Sequence, residues 1–352
     1  MDKALPDVQA VCHAFELGAP LGFMTVVPGG MRNRVGRLET SHGVFAVKTM
    51  TRDDLLAGFA AWAERAFGVE RAAHASGICM PRPIPVAATG RCLAEIAIAE
   101  EEAALVRVHE WVADAQALEF KVYSPHIAGA VGKLIGRVHG LGLTGEGGLD
   151  TALRIRGAPH WDALAERADG ANASWAAGLR STLSVVTELE AFVESARGDD
   201  DGAPMLLSHR DALQKNVLRQ ADHTLMLVDW DSVGPVKPRH EIASLALTWS
   251  GGAWGELSGD VAHGLIDGYR RSGGELDALR ESDFSEWISG TLSWFEFNAR
   301  RALGDNLRDE SDRNLAAGIV AWHVMTLPKA LRSISECVRL LAQRPRARPV
   351  PL

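Results

Sequence analysis

The chain has 352 residues, of which 47% are hydrophobic and 23% are charged, a composition typical of a folded protein with a substantial core. Its formal net charge is −8 and it contains no long basic run, which argues against a nucleic-acid partner. The 4 cysteines are widely spaced and form no C-x-x-C pair, so we expect reduced, mostly buried thiols instead of disulfides or a zinc site.

The N-terminal segment is predicted to form a helix over residues 7–17. It lacks the charged and apolar regions of a secretory signal, and no stretch of about 18 residues in the chain is uninterruptedly apolar. We therefore expect a cytoplasmic protein without a membrane partner. The length favours two domains or lobes.

A small antiparallel sheet is predicted after this helix. Strand-like runs cover residues 21–27, 35–39 and 44–49, and glycine-containing turns lie at 28–32 and 41–43. Short apolar runs that alternate with such turns are typical of β-hairpins.

One amphipathic helix follows these strands. Thr51, three residues before Asp54, suggests a capping box, and apolar residues recur at helical spacing until Ser76 and Gly77. Two further strands are predicted in the stretches RCLAEIAIA and ALVRVHEWV, and the character of the chain changes after Trp111.

Helices dominate the rest of the chain. We expect a short helical segment around residues 114–119, and then an apolar helix in which Gly129, Gly132 and Gly136 allow close packing. A loop and a hairpin over residues 217–228 interrupt the helical region. Further helices are predicted over residues 179–196, 241–247, 261–271, 284–303, 315–326 and 331–342.

A set of polar residues lies in the stretch SHRDALQKN and after the apolar run LMLV. Asp211 stands two residues after His209, Asn216 follows five residues later, and Asp229 ends the apolar run. Phosphoryl transfer from ATP needs a carboxylate that orients the attacking hydroxyl and accepts its proton, and oxygen ligands for Mg²⁺. Asp211, Asn216 and Asp229 have the side chains that these tasks require.

These motifs resemble the aminoglycoside phosphotransferase and choline kinase-like family of small-molecule kinases. FAVK with Lys48, VRVHEWV and GRVHGL belong to the same pattern, and the resemblance covers most of the chain. It implies an α+β, two-lobed protein kinase-like fold, with an N-lobe of antiparallel sheet plus helix and a mainly helical C-lobe. The nucleotide-binding N-lobe would be residues 1–107, the hinge 108–112, and the C-lobe, with the catalytic loop and acceptor-binding helices, 113–352.

The resemblance also implies a role for each matching residue. Asp211 would be the catalytic base, Asn216 and Asp229 would bind Mg²⁺, and Lys48 would hold the phosphates of ATP or GTP. A glutamate on the following helix would pair with Lys48. Glu70 lies about 60° from the centre of the apolar stripe of that helix and is the predicted partner, whereas Glu64 lies nearly opposite the stripe and should face water.

Further nucleotide contacts are predicted in two backbone segments. Gly30, in the turn VVPGGMRNRVG, could let a phosphate approach the backbone, although a plain hairpin explains this turn almost as well. In the hinge, backbone groups would meet an adenine edge at Val108, Glu110 and Trp111.

The chain departs from the family pattern at two positions. Many members have glycine where it has Arg210, which brings the loop closer to the His-Arg-Asp of protein kinases, and many have proline where it has Gln214. Neither departure affects the catalytic aspartate. A peptide acceptor is not expected, because Pro235 and Pro238 follow Asp229 too closely for a peptide-gripping activation segment.

Supporting and acceptor-binding roles are open to more than one interpretation. His209 is expected to be a structural histidine beneath the loop, Arg210 to contact a phosphate or carboxylate, and Asp231 to serve either the metal or a turn. A polycationic acceptor would need carboxylates that bind its ammonium groups. Neighbouring arginines could instead pair with these carboxylates on an ordinary solvated face. The candidate carboxylates are Glu296, Asp305 and Asp309.

The sequence thus predicts an ATP- or GTP-dependent, Mg²⁺-dependent O-phosphotransferase that acts on a hydroxyl group of a small molecule. An aminoglycoside or another antibiotic is one class of acceptor, and a metabolite such as choline, homoserine or a sugar is the other. A catalytically silent protein of the same fold, which only binds nucleotide or ligand, is the alternative from another class. The intact set of Asp211, Asn216 and Asp229 favours an enzyme, because a binding protein would not need all three.

Overall fold

The computed structural model describes residues 5–27, 33–50, 59–99, 102–145, 153–198, 202–252, 255–305, 307 and 310–343. The chain forms two compact units, of which the first comprises Met1–Leu118 and Asn216–Val233 and the second Glu119–Lys215 and Gly234–Leu352. The predicted α+β class, with an antiparallel N-terminal sheet and a mainly helical C-terminal part, is confirmed. Residues 108–112, the predicted hinge, lie in the first unit.

The first unit is organised around a six-stranded antiparallel sheet. Its strands are β1 (Thr25–Val27), β2 (Arg34–Thr40), β3 (Gly43–Thr49), β4 (Pro83–Ile84), β5 (Ala94–Ala99) and β6 (Glu102–Glu110). The strand order is β1-β2-β3-β6-β4, and β5 also pairs with β6. The β2–β3 turn ends at Gly43, whose φ of 142° favours glycine because that residue has no Cβ.

Side-chain alternation along β3 separates an apolar face of the sheet from a charged face. Phe45 and Val47 are buried in a core that also includes residues of helix α1 (Val8–Ala14). Lys48 follows Val47 and therefore lies on the other face, which is approached by helix α2 (Phe59–Ala75). The apolar core thus packs against one face of the sheet, and the charged side chains lie on the other face.

A three-stranded sheet completes the first unit. It consists of β7 (Gln116–Ala117), β9 (Val217–Arg219) and β10 (Leu225–Leu227), in the order β10-β9-β7. The predicted hairpin over residues 217–228 is confirmed, but the predicted helical segment around 114–119 is wrong. Gln116 and Ala117 pair with β9 instead, because backbone partners offered by a distant strand outweigh a weak local preference.

Helices form most of the second unit. They are α3 (Pro125–His139), α4 (Ala158–Gly170), α5 (Ala176–Arg197), α6 (Pro238–Ser250), α7 (Gly259–Arg271), α8 (Ser285–Ala302), α9 (Glu310–Thr326) and α10 (Ala330–Ala342). Two short strands, β8 (Leu206–Ser208) and β11 (Gly234–Val236), pair antiparallel. Helix α4 was not predicted, although Trp161, Leu164 and Ala168 recur at helical spacing and are buried.

Helices α3 and α7 pack with very close backbones. A Cβ atom at Gly132 would lie 2.0 Å from the carbonyl oxygen of Leu265, and one at Gly268 would lie 1.9 Å from that of Gly129. The prediction that the glycines of α3 allow close packing is therefore confirmed.

Two predictions about the whole chain can be compared with the structure. All four cysteines are free thiols, and Cys12, Cys92 and Cys337 are buried, as expected. Among the helices in the described part of the chain, none is long and apolar enough to cross a membrane.

Candidate functional site

Lys48, near the end of β3, binds two carboxylates of the first unit. Its ammonium nitrogen lies 2.5 Å from Oδ1 of Asp229 and also pairs with Asp231. The side chain is only 14% exposed. Burial acts to lower the pKa of Lys48, but the two carboxylates outweigh burial and raise the pKa, so the lysine stays charged.

Arg107 lies directly opposite Lys48 on the neighbouring strand, because the two residues are register partners on β6 and β3. One Nη atom donates to Oδ1 of Asp231 at 3.0 Å, and the other pairs with Glu70. Burial acts to lower the pKa of Arg107, but the carboxylates of Glu70 and Asp231 raise it. The guanidinium group therefore bridges helix α2 and the segment after β10.

Glu70 was the predicted partner of Lys48, but it pairs with basic side chains of β6 instead. Its carboxylate binds Arg107 and lies 2.9 Å from Nε2 of His109. The reason is that Lys48 already lies between two aspartates, whereas the adjacent strand presents the basic side chains of Arg107 and His109 to the helix. Burial acts to raise the pKa of Glu70, but Arg107 and His109 lower it to about 2.

Glu64 also differs from its prediction, because it does not simply face water. Its carboxylate accepts hydrogen bonds from the backbone amide of Cys92 at 3.0 Å and from its Sγ at 3.3 Å. Glu64 therefore anchors the segment that precedes β5.

The depressed pKa of Glu70 predicts a specific loss of stability in acid. A carboxyl group whose pKa is lower in the folded than in the unfolded state stabilises the fold above pH 4.5, and this stabilisation is lost as pH falls from there towards 2. Glu70→Gln should cost on the order of 3 kcal/mol at pH 7. The difference from wild type should shrink below pH 4.5, as measured by urea unfolding at several pH values.

The matched control is Glu119→Gln, which removes a fully exposed carboxylate that pairs with Lys121 at the surface. This substitution should leave the unfolding midpoint unchanged. A Glu70→Gln variant as stable as wild type at pH 7 would contradict the role given to the buried pair.

Asn216 and Asp229 lie together at the base of the β9–β10 hairpin. The amide of Val228 donates to the carbonyl oxygen of Asn216 at 3.0 Å, which places Asn216 beside the residue that precedes Asp229. The Asp229 side chain is 42% exposed, and one amide plus one carboxylate oxygen suit Mg²⁺. Within the described residues, no three His, Cys, Asp or Glu side chains cluster as a metal site.

Asp211 lies in the second unit, on a loop that follows β8. Helix α6 anchors the loop at both neighbours of Asp211. Oε1 of Glu241 accepts from the amide of Arg210 at 2.7 Å, and the indole nitrogen of Trp249 donates to the carbonyl oxygen of Ala212 at 3.0 Å. The Asp211 carboxylate is 24% exposed and lies 3.7 Å from Nζ of Lys215.

A buried hydrogen-bond network holds Glu241 in turn. Nε2 of His139 lies 2.7 Å from Oε2 of Glu241 and 3.1 Å from Oγ of Ser208, and Nδ1 lies 3.0 Å from the Tyr269 hydroxyl. Burial acts to raise the pKa of Glu241, but His139 lowers it. Sequence reasoning missed Glu241 and Tyr269, because nothing local links residues on three different helices.

His209 is fully buried beneath the loop, and its Nδ1 lies 3.3 Å from the amide of Asp211. This position agrees with the expectation of a structural histidine.

Arg210 adopts the left-handed backbone conformation, with φ of 61°. Glycine, which many members of the family have at this position, adopts that conformation without steric cost. Arg210→Gly should therefore be more stable than Arg210→Ala by about 1 kcal/mol, since both variants lose the same side-chain contacts. Thermal unfolding of the two variants tests this order, and a more stable alanine variant would contradict it.

The predicted hinge residues are already paired within the first unit. The amide of Glu110 donates to the carbonyl oxygen of Arg82 at 3.0 Å, and that of Trp111 donates to Val44 at 3.0 Å. Val108 is a register partner of both β3 and β4. The sheet thus uses the amides of Glu110 and Trp111, and contact of other backbone groups of the predicted hinge with an adenine edge stays a prediction.

The candidate acceptor carboxylates are bound by basic side chains. Glu296 pairs with Arg156 at 2.8 Å and with Arg300 at 2.9 Å, and lies 3.0 Å from Nε2 of His160. Burial acts to raise its pKa, but Arg156 leads the groups that lower it. Asp305 pairs with Arg167. Gly30 and Asp309 lie outside the described residues.

Comparisons with known proteins yield a family and several structures of similar fold. The model of a family described as "Phosphotransferase enzyme family" matches residues 24–274. A spectinomycin phosphotransferase, in complex with ADP and spectinomycin, has a TM-score of 0.65 at 13% identity, and the match covers 95% of this chain and 98% of that one.

Two further kinases are similar as well. A microcompartment-associated aminopropanol kinase has a TM-score of 0.60 at 14% identity, with 95% of this chain and 100% of that one covered. A choline kinase from Streptococcus pneumoniae has a TM-score of 0.52 at 14% identity, with 89% and 98% covered. No curated protein matches the sequence at a significant level. The structural likeness shows that the fold is shared with small-molecule kinases.

Proposed function

Because the chain belongs to the phosphotransferase enzyme family, we propose that it transfers the terminal phosphoryl group of ATP or GTP to a hydroxyl group of a small molecule. The observation that carries this proposal is the loop of Asp211. Helix α6 fixes the backbone on both sides of this residue, whereas its carboxylate stays partly exposed. A general base needs both a fixed position and access to the hydroxyl group that it deprotonates.

Asp211 is proposed to orient the acceptor hydroxyl and to accept its proton as the oxygen attacks phosphorus. Asp211 is favoured over His209 for this task, because His209 is fully buried. Phosphoryl transfer asks the protein for positioning and charge stabilisation more than for covalent chemistry.

The nucleotide and metal are assigned to the first unit. Lys48 is proposed to bind phosphate oxygens, because an ammonium group is a suitable point charge for them. Asn216 and Asp229 are proposed to hold Mg²⁺, since the hairpin places Asn216 beside the residue that precedes Asp229, whose carboxylate is partly exposed. Mg²⁺ held by these residues would supply positive charge that offsets the charge of the phosphates.

The acceptor is proposed to be an alcohol that also carries an amine or a quaternary ammonium group, either an antibiotic or a metabolite. The support is that the similar solved structures include kinases named for spectinomycin, amicoumacin, aminopropanol and choline. Glu296 and Asp305 are already paired with arginines, which favours a structural role for them over binding of a polycation.

The test is a screen with purified protein, Mg²⁺ and ATP or GTP against aminoglycosides, spectinomycin, other antibiotics, choline, aminopropanol, homoserine and sugars. Mass spectrometry should detect the addition of one phosphoryl group to one class of acceptor, and omission of Mg²⁺ should abolish it. Stabilisation by Mg²⁺ and nucleotide without transfer to any acceptor would instead favour a silent binding protein.

A further inference from the structure

Two basic side chains face each other on the charged face of the sheet. Lys48 and Arg107 are register partners on β3 and β6, and the side chains are 14% and 2% exposed. Like charges directly opposite each other on neighbouring strands destabilise a sheet, and more so where water is excluded. An anion that both groups share would offset this repulsion.

Asp231 is that shared anion. One of its carboxylate oxygens binds Arg107 at 3.0 Å, and the other pairs with Lys48 and accepts from Nδ2 of Asn33 at 2.9 Å. Asp229, by comparison, pairs with Lys48, whereas the aspartate that Arg107 binds is Asp231. The position of Asp231 is thus determined from three sides.

Glu70 fixes the other end of the guanidinium group. It is completely buried, and its pairing with one Nη leaves the second Nη directed at Asp231. A planar guanidinium can hold two carboxylates at a fixed angle, whereas an ammonium group cannot. Glu70, Arg107, Asp231 and Lys48 therefore form one connected chain of ion pairs.

We propose that Arg107, acting through Asp231, is the positioning residue that fixes the ammonium group of Lys48. This proposal rests on the nucleotide-binding role proposed above for Lys48. The helix glutamate then acts on the lysine at one remove, through the arginine, and not by direct contact. If the guanidinium group is removed, Asp231 loses its second cation, and Lys48 loses the fixed partner that keeps it in place for phosphate.

The sharpest test is the double substitution Glu70→Leu with Arg107→Met. It removes a buried pair without leaving either charge unpaired and without changing the net charge, so the fold should be retained. Calorimetry should show that Mg·ADP binds about tenfold more weakly than to wild type. Arg107→Lys keeps the positive charge but loses the planar guanidinium group. Its affinity for Mg·ADP should lie between those of wild type and the double variant.

The matched control is Arg301→Met with Asp312→Leu, which removes another buried Arg–carboxylate pair from the second unit. This variant should bind Mg·ADP like wild type. If Glu70→Leu with Arg107→Met also binds within twofold of wild type, Arg107 is merely structural and the proposal is wrong.

Asp231→Asn gives an independent test, in which the direction of the change in Mg·ADP affinity is decisive. Loss of a negative charge beside the phosphates would by itself tighten nucleotide binding, whereas loss of the shared anion that positions Lys48 weakens it. We expect weaker binding, and equal or tighter binding overturns the proposal. Wild-type protein that fails to bind Mg·ADP at all would instead overturn the nucleotide role of Lys48, and the present proposal with it.

Discussion

Asp211→Asn should lower the rate constant of phosphate transfer by about 10²–10⁴-fold, the range attributed to a positioned general base. Asparagine has nearly the same shape as aspartate but cannot accept the proton of the acceptor hydroxyl. The loop should keep its conformation, because its anchors are the amide of Arg210 and the carbonyl oxygen of Ala212 and do not involve the Asp211 carboxylate. The affinity for Mg·ADP should therefore stay within about twofold of wild type.

Steady-state kinetics on the acceptor found by screening, together with calorimetry, separates these two effects. Asp222→Asn is the matched control, since this aspartate lies in the exposed turn of the β9–β10 hairpin, where its carboxylate accepts hydrogen bonds from Thr224. The control should retain full activity. Near wild-type transfer by Asp211→Asn would show that another group accepts the proton, and the assignment of Asp211 would then be abandoned.

Much of the fold is predictable because its signals are local. The alternation of Phe45 and Val47 with Lys48 along β3 and the glycines of α3 depend on residues only a few positions apart. Asp211, Asn216 and Asp229 could also be selected as candidates, since their spacing and the apolar runs beside them are visible in the sequence. Segment 114–119 failed as a prediction because its backbone pairs with a strand about 100 residues away.

The ion-pair network was not predictable in the same way. Glu70 pairs with Arg107, which is 37 residues away, and Lys48 pairs with Asp229, which is 181 residues away. Helical geometry alone shows only that Glu70 can reach the sheet. Which basic group it meets depends on the register of β3 and β6. For the same reason, the anchoring of the Asp211 loop by Glu241 and His139 has no signal in the sequence around Asp211.

Asp229→Asn should raise the Mg²⁺ concentration needed for half-maximal activity by about tenfold and lower the maximal rate by about 10²-fold. Asparagine is the substitution of choice because Asp229 has the left-handed conformation, with φ of 63°, and asparagine tolerates this conformation better than other non-glycine residues do. Loss of activity would then reflect the lost charge, which both Mg²⁺ and Lys48 use, and not a strained backbone.

Asp229→Gly separates the two explanations further. Glycine relieves the backbone strain completely and also removes the carboxylate, so the variant should be at least as inactive as Asp229→Asn. Activity assays over a range of Mg²⁺ concentrations, with thermal unfolding to show that both variants are folded, make the comparison. An unchanged Mg²⁺ requirement in folded Asp229→Asn would contradict the metal role and leave Asp229 as a partner of Lys48 alone. Such a result would leave the role of Asp211 intact, because the two residues are proposed to act on different parts of the reaction.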